Sequence, residues 1–298
     1  MKIKYIQHTK DVSQYSELSL LKRSDKTDVV FVGYGLFILS MVLISYLLGV
    51  LGWLPFTADD MDMDLMMALP GTGSHILGTD FLGRDMLTRL ILGIQAYFLP
   101  GLLAIVVALG LGTFMGVLSG YRGGYAETVI TYINNVTDSL PRLVLILLVV
   151  AAFKPDIYII MFVVGLTNAP AVASLVKDKI TFLKQKNFLE ASVALGLSTR
   201  TIIFKHILWY NCRTLLIIQA TLGMAEAILI ETSLSYLGFG VQEPTPSWGN
   251  MIQAGANYMM RGDFWPSTAP ALAILLTVLG FHLLGDGLNN ILEGKRRK

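Results

Sequence analysis

Six long apolar stretches recur along this chain, at 29–51, 98–118, 129–153, 157–176, 215–237 and 269–292. A helix needs about 20 mostly apolar residues to cross a bilayer, and in lipid each backbone polar group must be satisfied within the segment. The pattern predicts an all-α polytopic membrane protein with six transmembrane helices. Composition points the same way: 54% of the 298 residues are hydrophobic and 15% are charged, where soluble domains carry about a quarter. The first stretch is too long and starts too late for a cleavable signal peptide. The third is interrupted by Asn134, Asn135, Asp138 and Arg142, and Pro170 predicts a kink in the fourth.

Orientation follows from the basic residues. With the N-terminus inside, 18 Lys and Arg fall on the inner side and four (Arg84, Arg89, Lys154 and Arg261) on the outer. Both termini are then expected in the cytoplasm. Residues 1–28 form an inner segment, 29–292 the membrane domain and 293–298 a basic tail. Residues 52–96 and 238–268 become outer loops, and 177–213 becomes a cytoplasmic loop. The net charge of +2 gives no reason to expect nucleic-acid binding. A single cysteine, Cys212, excludes an internal disulfide and any multi-cysteine metal site.

Both outer loops carry turn and pairing signals. Gly78 and Gly83 allow tight turns. Asp80, Arg84 and Asp85 can pair with one another or cap a short helix. Pro244, Pro246 and Gly249 shape the other loop, where Trp248 and Trp265 are suited to a membrane interface. Met61, Met63, Met66 and Met67 suit flexible packing better than soft-metal binding. His75, His206 and His282 have no partner at ligand spacing, so no metal site is expected.

The inner loop reads KQKNFLEASVALGLSTRTIIFKHILW over 184–209, helical in pattern on both sides of Gly196. Gly196 can take the positive φ that ends a first helix. Glu190 offers a carboxylate to a basic partner, but spacing alone favours a solvated residue on an amphipathic surface helix. Inside the spans, Arg142, Asp138 and Asn135 in the third and Glu226 and Glu231 in the fifth are costly unless paired or functional. Arg142 can pair internally with Asp138, or line a polar pathway. No phosphate-binding loop, His-Glu-x-x-His or Gly-x-Ser-x-Gly is present, so no ATP hydrolysis or other catalysis is expected of this chain.

Five strings occur in order: LGTDFLGRDMLTRL (77–90), GYRGGYAE (120–127), EASVALG with KHIL (190–208), SLSYLGFGVQEPTPSWGNMI (233–252) and LLGDGL (283–288). Together they resemble the second permease subunit of the dipeptide, oligopeptide and nickel family of ABC importers, and the inner loop resembles its EAA loop. The resemblance implies the type I permease fold and a bacterial cytoplasmic (inner) membrane location. It implies four kinds of contact: the lipid bilayer, a second homologous permease, two ATPase subunits that carry ATP and Mg, and an extracytoplasmic solute-binding protein. No cofactor is implied on this chain. Glu190, Ala191, Ser192, Gly196, Lys205 and His206 would then couple to the ATPases. Asn135, Asp138, Arg142 and Glu231 become pathway candidates. Gly78, Thr79, Asp80, Gly83, Arg84, Asp85 and Trp248 become structural residues of the outer loops. The cargo implied is a di- or oligopeptide, with nickel or a metal–metallophore chelate as the alternative. A self-contained secondary transporter is the rival of another class. The chain departs from the family at Trp209 and Tyr210, where Pro and Asn are usual. An Arg and an Asp are usual where Tyr132 and Asn135 stand, and two usually basic positions of the fourth span fall on Ser174 and Lys177.

Overall fold

In the computed structural model the described residues are 2–153 and 156–294, without the side chains of 2–26, Asp138 and 292–294. Lys154, the tail residues 295–298 and the Asp138 side chain therefore lie outside what is described. The described chain is helical: α1 (Lys2–Leu51), α2 (Met86–Gly93), α3 (Phe98–Val117), α4 (Gly124–Asp138), α5 (Arg142–Phe153), α6 (Ile157–Lys184), α7 (Asn187–Ala194), α8 (Thr199–Thr201), α9 (Arg213–Tyr236), α10 (Trp248–Met259) and α11 (Trp265–Gly294). Wider π-type turns over Ile202–Cys212 join α8 to α9, so one helix runs unbroken over Thr199–Tyr236.

Among the described residues, five helices are long and apolar enough to cross a membrane: Thr27–Leu51, Met86–Arg122, Ile157–Lys184, Thr199–Tyr236 and Trp265–Ile291. The third expected span differs from the other five. It is two helices, Gly124–Thr137 and Arg142–Phe153, set at 79° to each other, and together they can make the sixth crossing. Proline explains the break. Pro141 supplies no backbone N–H and disfavours helical geometry at Leu140, so α4 stops and α5 starts afresh. By contrast, α6 continues through Pro170.

Lipid gives helices little hydrophobic reason to associate, so close approach at small residues decides the packing. Two seams use this device. Along α1 and α11, a Cβ on Gly280 would lie 2.6 Å from Ile38 Cγ2, and one on Gly287 would lie 2.7 Å from Val32 Cγ2. Along α3 and α6, a Cβ on Gly112 would lie 2.5 Å from Val172 Cβ, and one on Gly116 would lie 2.7 Å from the Ala173 carbonyl. Gly165 closes the same seam from the other side, against Ala104 and Val107. Helix α9 lies between the seams, touching α3, α6, α10 and α11. Its residues Met224 and Ile228 enter one apolar cluster with Trp248 and Phe281, while Ala227 and Leu234 enter a second with Ile146 and Met161.

The segment before α2 is irregular but tightly organised. Gly83 has φ +74, and a Cβ there would collide with the Asp62 carbonyl. The Thr79 hydroxyl bonds the Leu65 carbonyl and accepts from Ala68 N–H at 2.9 Å. Trp248 is no interface residue. It is 3% exposed, donates its indole N–H to the Leu90 carbonyl at 2.9 Å, and packs on Tyr97 with ring centroids 4.9 Å apart. Trp265 likewise donates to the Leu77 carbonyl at 2.6 Å. Each indole N–H needs an acceptor when it leaves water, and the segment 52–96 supplies both.

Candidate functional site

Three places bring the polar residues together. The first is a cavity of about 230 Å³ among α3, α5, α6 and α9. Gln219, Leu222, Gly223 and Glu226 line it from one face of α9, since i, i+3, i+4 and i+7 share a helix face. Ala104, Ile105 and Ala108 line it from α3, and Asn168 and Ala171 from α6. Arg142, the first residue of α5, forms an ion pair with Glu226 and donates to Asn168 Oδ1 at 2.5 Å. The two charged side chains keep about a third of their surface (33% and 35%), so both are open to the cavity.

The pathway candidates are placed differently from one another. Arg142 lines this cavity. Among the described side chains its ion-pair partner is Glu226; the Asp138 side chain, the partner that spacing suggests, lies outside what is described. Asn135 is exposed on α4. Glu231 is fully buried and accepts from the Ser235 hydroxyl at 2.6 Å, five residues beyond Glu226 and away from the cavity lining. Beside the cavity, α4 meets α6 through Asn134–Ser174 at 3.1 Å and the ion pair Glu127–Lys177 at 2.8 Å. Ser174 and Lys177, at the two usually basic positions, are thus used within the chain.

The second place is the turn between α7 and α8. The Leu197 N–H bonds the Ser192 carbonyl at 3.2 Å and the Gly196 N–H bonds Val193 at 2.9 Å. This pair is a Schellman closure, and it needs a left-handed residue at Gly196, which has φ +75. Ser192 is buried and donates to the Phe188 carbonyl at 2.7 Å. Glu190, Ala191 and Lys205 are exposed, and His206 is half-buried beside Tyr210. Around them Val193 (60%) and Leu195 (80%) stand out of the protein, while Leu189, Ile202 and Ile207 anchor the hairpin from beneath. A rigid hairpin with an apolar, carboxylate-flanked tip can seat in a groove of another protein.

The third place is a buried ion network at the other end of α9. Asp80 pairs with Arg84 at 2.7 Å, and Glu243 pairs with Arg84 at 2.7 Å and Arg89 at 2.9 Å. Both guanidinium groups are at most 3% exposed. Burial opposes the Arg84 charge, but the Glu243 and Asp80 carboxylates outweigh it and hold its pKa above the ordinary value. Asp85 caps α2 through Thr88 N–H at 2.7 Å and meets His75 Nδ1 at 2.9 Å. Gly78 has φ +72 and passes close under Ala68. Asn250 and Ser247 form a reciprocal cap on α10. Sequence reading gives no role to Arg89, Glu243 or Asn168 and does not pair Glu226 with Arg142. The available signal is Arg89, one of only four basic residues set apart from the other 18 in the charge count.

Comparison with known proteins identifies the lineage. Residues 108–298 match the model of binding-protein-dependent transport system inner membrane components. A probable D,D-dipeptide transport system permease protein of Escherichia coli K12 is 34% identical over 266 residues, covering 88% of this chain and 89% of that protein. An oligopeptide transport system permease protein of Haemophilus influenzae is 35% identical over 244 residues, 82% of this chain and 78% of that one. A glutathione transport system permease protein of Pectobacterium atrosepticum is 34% identical over 269 residues, 89% and 87% respectively. With its membrane-spanning helices and these matches, the chain belongs to the family of binding-protein-dependent transport system inner membrane components.

Proposed function

We propose that this chain is one permease subunit of an ATP-driven importer of di- and oligopeptides, lining half of the translocation pathway. The observation that carries the reading is the set of relatives named for dipeptide, oligopeptide and glutathione transport, similar over more than three quarters of this chain. A second homologous permease completes the pathway. Two ATPase subunits, which hold ATP and Mg, dock on the α7–α8 hairpin. An extracytoplasmic solute-binding protein delivers cargo at the end held by the Arg84–Glu243 network. Both termini then lie in the cytoplasm, as the basic residues favour.

In this scheme ATP-driven closure of the ATPases pushes on the hairpin. Glu190 forms a charge-assisted bond with the ATPase. The Val193 and Leu195 side chains fill an apolar groove, and Lys205 and His206 border it. Gly196 keeps the hairpin rigid enough to pass the push to α6 and α9. The Arg142–Glu226 cavity lies where those helices would open. The test is co-expression with a candidate second permease, ATPase subunits and solute-binding protein. The expected outcome is co-purification with an ATPase, recovery of a peptide from the purified binding protein, and ATP-dependent uptake of that peptide into proteoliposomes. Solute movement by the single chain alone would favour a secondary transporter instead. A metal chelate on the binding protein would shift the cargo and keep the machine.

A further inference from the structure

We propose that the Arg142–Glu226 pair is a gate opened by a zwitterion. The peptide carboxylate takes Arg142, the peptide ammonium takes Glu226, and the internal pair is exchanged for two pairs with the cargo. This inference rests on the peptide-import reading above and gives the residues that would meet that cargo.

The argument begins with where the charges stand. Arg142 starts α5, whose backbone packs on α6, and its guanidinium reaches across the cavity to Glu226 on α9. The pair therefore ties α5 to α9 directly across a cavity of about 230 Å³. Asn168 holds the guanidinium from the side and Gln219 adds an amide to the same wall. These are the polar side chains of the lining, and Arg142 and Glu226 are its charged ones.

A charge inside a membrane domain must keep a partner, because an orphaned ion there is costly. That rule sorts solutes by charge. A neutral solute offers neither residue a replacement, so the pair stays closed. A singly charged solute satisfies one residue and strands the other. A zwitterion satisfies both, and the exchange leaves the net charge of the cavity unchanged. A peptide also holds its two charges apart by about 3.3–3.6 Å for each extended residue. Seating it between Arg142 and Glu226 therefore requires α5 and α9 to part. Recognition and opening become the same event, and the break at Pro141 gives α5 freedom from α4 to make it.

The experiment is equilibrium binding to the assembled complex with its ATPases in lipid nanodiscs, without the solute-binding protein. The probes are radiolabelled alanyl-alanine, its N-acetyl form and its C-terminal amide. The wild type is expected to bind alanyl-alanine saturably and each blocked form about tenfold more weakly, the worth of one charge-assisted hydrogen bond. Glu226→Gln should erase the penalty for N-acetylation and keep the one for amidation. Arg142→Gln should do the reverse. No saturable binding by the wild type, or equal binding of all three peptides, overturns the gate even if neither variant assembles. Penalties that persist unchanged in both variants also overturn it and leave the pair a structural tie. Peptide recovered from the binding protein and taken up by the whole system reports on the import reading separately. Uptake with no binding at this site would therefore sink the gate alone.

Discussion

Gly196 stands in open space: a Cβ built there meets no atom within 4 Å, so any damage from a substitution comes from its φ of +75. A left-handed non-glycine residue costs roughly 1–2 kcal/mol, less than a fold but enough to loosen a Schellman closure. Gly196→Asp is therefore expected to insert and assemble normally yet abolish uptake, because it both strains the turn and adds a charge at the proposed docking tip. Uptake and binding-protein-stimulated ATPase at matched expression decide it; normal uptake would remove the hairpin from coupling. Glu190→Ala should weaken uptake less, since an exposed ion pair contributes on the order of 1 kcal/mol or less. At the opposite end, Glu243→Gln leaves the buried Arg84 and Arg89 short of a carboxylate. We expect a loss of about 2 kcal/mol or more in stability, given that Glu243 is partly exposed. Thermal unfolding followed by gel filtration reads it, and no change would make the network ornamental.

Helices differ in how much of their arrangement the sequence discloses. Five of the apolar runs correspond to unbroken helices, because length and hydropathy are local properties. The bend at Pro141 is harder to see, since apolar residues continue through it and only the proline and its polar neighbours mark the change. Pairs such as Arg142–Glu226 and Arg84–Glu243 join residues 84 and 159 positions apart, so no periodicity encodes them. The seam glycines are intermediate: their presence in α3 is legible, but not which of them faces α6. Gly112 does, and Gly110 meets nothing within 4 Å. Gly112→Leu should cost about 1–3 kcal/mol or more by overpacking. Gly110→Leu should leave the isolated subunit's melting midpoint unchanged. Equal effects of the two substitutions would contradict the α3–α6 register.

For the whole molecule, the central expectation is sidedness. Thr79 is a natural choice of marker for the segment 52–96, expected outside, but it is 1% exposed, whereas Ile76 is 67% exposed in the same segment. In a Cys212→Ala background, Ile76→Cys should react with an impermeant maleimide from outside and Ser198→Cys only after the membrane is opened. The reverse pattern would invert the topology. One architectural feature joins the three polar places. The unbroken helix Thr199–Tyr236 has 38 residues, roughly 55 Å at the usual rise. It begins beside the Gly196 turn, carries Glu226 along its length, and ends just before the loop that bears Glu243. A tilt of about 5° would swing one end of such a rod by about 5 Å relative to the other. Timing is then built into its stiffness: whatever engages the hairpin, unlocks the cavity or releases the outer loop must do so in a single stroke, so a slow step at any one of them should set the tempo of all three.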